Sequence, residues 1–317
     1  MVNNLCSDFS QNIHESPIGS AANFDAYLLI SVPMPWKSEI TESEKFPTNI
    51  KDLLNQNPNI LKNTKILGFK PEKNEDSSKI NIILYKNPKG SFKKFYKFEF
   101  LANHMNLEEL IIDLLNSNYE NHRFLINHNK NYRDLLICTH GSRDSCCASK
   151  GYPFYEKILH LEQSNNLMAY QVSHIGGHRF APNIIDMPDG RNWVKINQDS
   201  IETFINKKNP VSVFRENYRG WTILKNGFEQ VAEKEAFTIE NWEWVNKKII
   251  SITSFETKNS NDSKLVKIVY SNENNSVKNQ INVEVAKTKK IPVLKCTKNE
   301  FTEYSQQYKV INITKNH

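Results

Sequence analysis

The chain has 317 residues, 38% of them hydrophobic and 24% charged, the balance of a soluble globular protein with room for two or three domains. Its formal charge of +6 comes from scattered lysines, often beside asparagine as at Lys62 and Lys130. No basic run is interleaved with aromatics, so no nucleic-acid partner is expected, and the charge reads as a solvated surface or as steering of an acidic redox partner. The first twenty residues lack the basic and apolar segments of a signal peptide, and the longest apolar stretch, 26–32, is far too short to cross a bilayer. A cytoplasmic protein with no membrane partner is expected.

Residues 1–24 read as a loose lead-in. A strand follows at 26–32, stopped by Pro33 and Pro35. Ile50, Leu53, Leu54, Ile60 and Leu61 share one face of a helix over 50–61. Strand-like runs come next at 64–69, 80–85 and 95–101. Leu107, Leu110, Ile111, Leu114 and Leu115 then mark a helix over 106–115. After a polar segment, 116–133, the order begins again. It runs through a strand at 135–139, a helix centred on 155–161 and a strand at 169–173, then a hairpin of 183–187 and 193–196 turning at Asp189-Gly190, and a helix at 200–205. Both halves read β-α-β-β-β-α, which predicts a tandem repeat of one thioredoxin-like α/β fold with candidate ligands only in the second copy. A connection and a helix at 226–236 fill 208–238. From 248 onward, β runs at 248–255, 264–270 and 280–285 predict a small antiparallel meander. The expected domains are 1–130, 131–238 and 239–317.

The five cysteines are Cys6, Cys138, Cys146, Cys147 and Cys296. An odd number in a long chain without an export signal argues against a disulfide framework and for metal or redox use. Three of the five fall within ten residues, and five of the ten glycines fall between 141 and 190, so a shaped loop site is expected there. Cys138 and Cys147 form a C-x8-C pair, with C-x7-C to Cys146 as the alternative, and His174 and His178 form H-x3-H. Each pair follows or ends a predicted strand, and loops at neighbouring strand ends converge on one edge of an α/β domain. A zinc knuckle uses C-x2–4-C, so C-x8-C is long for a single zinc and suits a larger, two-iron object. Cys6 and Cys296, distant in sequence, read as structural.

The segments Cys138-Thr-His-Gly-Ser-Arg-Asp-Ser-Cys-Cys147, Ser173-His-Ile-Gly-Gly-His-Arg-Phe-Ala-Pro-Asn183 and Glu216-Asn-Tyr-Arg-Gly-Trp221 resemble the sucrase/ferredoxin-like family. A weaker likeness reaches from Gly19-Ser-Ala to Pro35-Trp36. The resemblance implies a thioredoxin-like ferredoxin domain; by the element pattern above, a degenerate copy precedes it and a small antiparallel β appendage follows. Fungal members are [2Fe–2S] proteins, which implies that Cys138, Cys147, His174 and His178 hold such a cluster. His140, Arg143, Cys146 and Arg179 would then stand around it, the arginines as donors to the cluster sulfurs. Thioredoxin-like folds place a cis-proline beside the site, which implies one at Pro182.

The expected function is one-electron transfer or redox sensing with unidentified donor and acceptor proteins, a carrier rather than a catalyst. Two imidazoles in place of thiolates would raise the potential above the roughly −400 mV of plant-type ferredoxins. A structural Cys2His2 zinc site is the alternative, and thiol redox chemistry at Cys146 and Cys147 ranks below it. Sucrose hydrolysis is not expected, because a glycosidase needs two carboxyl groups flanking a cleft and the motifs supply Asp144 alone.

Overall fold

The computed structural model describes residues 5–57, 63–72, 76, 78–88, 92–128, 133–161, 166–257, 260–272, 277–296 and 300–316. The end of the helix expected over 50–61 lies outside them. The first half contains β1 (Ala26–Ser31), α2 (Thr48–Gln56), β2 (Thr64–Phe69), β3 (Lys79–Lys86), β4 (Tyr96–Asn103), α3 (Leu107–Leu115) and β5 (Leu125–His128). The second contains β6 (Arg133–Cys138), α4 (Ser145–Leu159), β7 (Leu167–Val172), β8 (Asn183–Met187), β9 (Arg191–Val194), α5 (Ile201–Ile205) and β10 (Tyr218–Trp221). All ten strands form one sheet, in the order β10-β9-β8-β6-β7-β2-β1-β3-β4-β5.

That order contains the same unit twice. In the first half β1 lies between parallel β2 and antiparallel β3, and β4 and β5 follow outward, each antiparallel to its neighbour. In the second, β6 lies between parallel β7 and antiparallel β8, with β9 and β10 outward in the same sense. The units meet at β2 and β7, which pair through Phe69 and Val172. The strand order thus repeats as the sequence pattern predicts.

Three cores follow from the alternation of side chains along these strands. On the outer face of the first half, Leu28, Ile30, Ile82 and Phe98 pack with Ile50, Leu53, Leu107 and Leu110 of its helices. Between the halves, Tyr27, Leu29, Ile83 and Tyr85 meet Leu136, Cys138, Val172 and Ile185. A buried ion pair crosses the same boundary: Lys97 Nζ lies 2.8 Å from Asp134, which also accepts from the Tyr85 hydroxyl at 2.5 Å. The third core runs from the outer face of the second half through α6 (Gly227–Glu240) into the C-terminal sheet, joining Trp193, Phe204 and Phe237 to Val266, Ile281 and Val283.

Several elements differ from the sequence expectation. The lead-in contains a helix, α1 (Cys6–Asn12), which packs against the turn His178–Phe180 and the C-terminal sheet. Its short length and polar residues hide it, and tertiary contacts hold it. The polar segment contains β5, and the connection after 208 contains a 3-10 stretch, Val211–Asn217, and edge strand β10. The C-terminal meander has four strands instead of three, β11 (Lys248–Thr257), β12 (Ser260–Ser271), β13 (Asn279–Lys295) and β14 (Glu300–Asn316). The Ala181–Pro182 peptide is cis, as expected, and so are Met34–Pro35 and Met187–Pro188. Among the described residues no helix is long and apolar enough to cross a membrane.

Candidate metal centre

The site lies where β6 and β7, parallel neighbours, end side by side. Cys138 is the last residue of β6, and Asp144 starts α4 as its N-cap, accepting from the Cys146 amide at 2.9 Å. That cap explains why the helix begins at Ser145, ten residues before the apolar stretch that marks it in sequence. Gly151 and Pro153 disguise this part of the helix, since both are poor interior residues. Gly151 is required there, because a Cβ would stand 2.1 Å from the Cys138 carbonyl oxygen. The first turns of α4 therefore press against the end of β6 and bring Cys147 to Cys138.

The histidines stand on the loop after β7. Gly176 and Gly177 both have positive φ, and the chain turns there between His174 and His178. Buried Arg219 clamps the turn. Its guanidinium donates to the Gly176 carbonyl at 3.1 Å, and to the Ser20 carbonyl and hydroxyl at 2.9 and 3.1 Å. His140 braces the other end: its Nδ1 accepts from the His174 amide at 3.1 Å, while Nε2 donates to the Lys37 carbonyl at 2.7 Å.

Cys138, Cys147 and His174 converge, with one donor atom of each within 4.8 Å of the others. His174 Nδ1 lies 4.0 Å from Cys138 Sγ and 3.6 Å from Cys147 Sγ. Both cysteines are buried beside Leu136, Val172 and Ile175. Burial opposes ionisation of Cys138, but the Cys147 thiol and His174 outweigh it and hold Cys138 well below the ordinary thiol range. Cys147 is pushed up by the hydrogen bond it gives Cys138 and then by burial.

His178 stands apart from that trio. Its ring centroid is 6.0 Å from that of His174, and its Nδ1 lies 3.1 Å from Asp144 Oδ2 and 2.9 Å from Cys6 Sγ. Burial lowers its pKa, against the pull of Asp144. Cys146 faces away from Cys147's partners and joins Cys6 and Cys296, each at an Sγ–Sγ distance of 3.3 Å. Cys6 and Cys296, set aside as structural in the sequence, are therefore beside the site. Their convergence is invisible in sequence because it depends on α1 and β13 meeting over the second half. Of the two arginines, Arg143 pairs with Glu39, and Arg179 donates to Glu15 at 2.8 Å.

The comparisons agree with this picture at the level of the family. The model of the sucrase/ferredoxin-like proteins matches residues 17–220. The chain belongs to the sucrase/ferredoxin-like family. The matched stretch holds both halves of the ten-stranded sheet, the Cys138–Cys147 and His174–His178 loops and the Arg219 clamp. A curated relative, "Altered inheritance of mitochondria protein 32" of Meyerozyma guilliermondii, is 30% identical over 98 residues. That alignment spans 27% of this chain and 34% of the relative's length. No solved structure matches the chain.

Proposed function

We propose that this family member carries a [2Fe–2S] cluster on Cys138, Cys147, His174 and His178 and works as a one-electron carrier or redox sensor. The observation that carries the reading is the convergence of Cys138, Cys147 and His174 at the paired ends of β6 and β7. The donor set fits the cluster in kind: two thiolates on one loop, two imidazoles on the facing loop, and an apolar shell around the sulfurs. Asp144 Oδ2 engages His178 Nδ1, which leaves Nε2 as that ring's ligating nitrogen. A carboxylate partner of this kind fixes the orientation of a metal-binding histidine. When bound, the cluster supplies one-electron redox chemistry. The chain's own part is to hold the four ligands in place, through His140, Asp144 and Arg219, and to keep the sulfurs dry.

The strand order of 131–238, with parallel β6 and β7 and antiparallel β8 and β9, supports a thioredoxin-like ferredoxin domain. The preceding half would be its degenerate copy and 239–317 an appendage. The working environment in this reading is the cytoplasm, with protein redox partners and neither nucleic acid nor membrane. One observation favours a mononuclear zinc instead: the three convergent donors sit within 4.8 Å of one another, a spacing that one ion can span. Iron and acid-labile sulfide in Cys147→Ser and Cys146→Ser separate the readings. The cluster reading expects both to vanish in the first variant and persist in the second. Zinc in the wild type that disappears in the first variant, with no iron in either, establishes the mononuclear site.

A further inference from the structure

We infer that Cys6, Cys146, Cys296 and Asp144 form a second metal site, which takes one zinc ion and fastens α1 and the end of β13 to the start of α4, the helix that bears Cys147. The four residues come from three distant segments: α1, the start of α4, and the end of β13. Among the described residues none of the cysteines is in a disulfide. Cys6 and Cys146 are fully buried. The Sγ atoms of Cys146 lie 3.3 Å from those of both Cys6 and Cys296, Asp144 Oδ1 lies 4.0 Å from Cys6 Sγ, and one donor of each residue lies within 4.8 Å of all the others.

These are the donors and the spacing of a zinc site. Tetrahedral zinc with Zn–S of about 2.3 Å separates its thiolates by roughly 3.8 Å, so the observed trio needs to open by only about half an ångström. Thiolates with one carboxylate suit zinc, while calcium and magnesium prefer oxygen throughout. The surroundings are a dry shell of Ala181, Leu294, Leu5 and Phe9. A disulfide between any two of the thiols would strand the third.

Asp144 links the two sites. Oδ1 faces the second site and accepts from the Cys146 amide, and Oδ2 faces His178. Zinc here would lock α1 and β13 over the histidine loop. The short helix α1 and the end of β13 would thereby become a fixed lid, since metal binding adds its free energy directly to the ordering of the segments it joins.

The test is metal analysis of the full chain, prepared under reducing conditions, as wild type, Cys6→Ser, Cys296→Ser and Cys296→His, with native thiol labelling of the same samples. The expected result is that either serine variant loses one zinc per chain, a drop of about tenfold in occupancy of that site. Iron content and visible absorption should stay at the wild-type level in Cys296→Ser, and Cys296→His should keep the zinc. In the wild type, Cys6, Cys146 and Cys296 should resist labelling until zinc is chelated. If zinc content is the same with and without Cys296, or if the three cysteines of the wild type as purified label freely before any chelator is added, the site is refuted. The outcome is independent of the cluster reading, because iron is counted separately and the zinc in question is defined by Cys6 and Cys296.

Discussion

The two halves of the ten-stranded sheet have one strand order and opposite uses. In the second half the ends of β6 and β7 carry Cys138 and then His174, and α4 brings Cys147 back to them. The equivalent ends of β1 and β2 in the first half run into Val32-Pro33-Met34-Pro35 and Lys70-Pro71, with no cysteine or histidine. The first half contributes support instead. The loop after β1 offers the Trp36 carbonyl to Ser142 and the Lys37 carbonyl to His140, both at 2.7 Å, and the Trp36 ring meets His140 edge-on. One copy of the fold thus presents the ligands, and the other props the loop that presents them. That arrangement gives a physical reason for the family likeness to extend to Gly19 and to Pro35-Trp36. Ser20 binds Arg219 under the histidine turn, and Trp36 abuts the cysteine loop.

This division of labour can be broken at the joint. Asp134→Ala removes the carboxylate that pairs with Lys97, whose side chain is only 5% exposed and keeps Glu99 at 2.7 Å. Breaking a buried pair from one side costs about 3 kcal/mol or more. Urea unfolding should show that loss, with the two halves uncoupling. Gly151→Ala acts on the ligand half alone, forcing α4 away from the Cys138 carbonyl. Overpacking of this kind costs about 1–3 kcal/mol. Thermal melting should record the cost, and metal content should fall because Cys147 moves with the helix.

The prop itself is tested by His140→Ala, which leaves the His174 amide and the Lys37 carbonyl without their partner. Losing a hydrogen bond of this kind costs about 0.5–1.5 kcal/mol. The expected result is faster loss of metal to a chelator with the sheet still folded, read by far-UV circular dichroism. The smallest effect concerns the C-terminal sheet. Glu240 at the end of α6 accepts from Tyr270 and Lys315, both at 2.7 Å. Burial works against its charge, but the Lys315 and Tyr270 hydrogen bonds outweigh it and hold its pKa below the ordinary glutamate value. A depressed carboxylate stabilises the fold above its unfolded-state pKa, and the contribution disappears as pH falls through the folded-state value. The Glu240→Gln variant should therefore melt below the wild type at neutral pH, by the equivalent of about 0.5–1 kcal/mol. The gap should close in acid below the ordinary glutamate range.

Much of this was legible in the sequence because it depends on local pattern. The apolar spacing of Leu107, Leu110, Ile111 and Leu114 and the strand runs either side revealed two passes of the same order, and the structure repeats that order strand for strand. Cys138, Cys147, His174 and His178 stood out by their spacing and by the glycines around them. What was hidden depends on contacts distant in sequence. Cys6 lies on a seven-residue helix without amphipathic pattern, and it meets Cys296 across 290 residues. Edge strands β5 and β10 are four residues each, too short for a periodic signal. The partners of Arg143 and Arg179, Glu39 and Glu15, likewise lie on distant elements that no local pattern links to the motifs.

The most direct test of the central claim is the ultraviolet–visible spectrum of the anaerobically purified full chain, with iron and zinc counted on the same sample and on His174→Ala. The account predicts a red-brown protein with about two irons per chain, and loss of colour and iron in the variant. A colourless wild type without iron, whose zinc content falls in His174→Ala, would contradict it and leave Cys138, Cys147 and His174 as a structural zinc site.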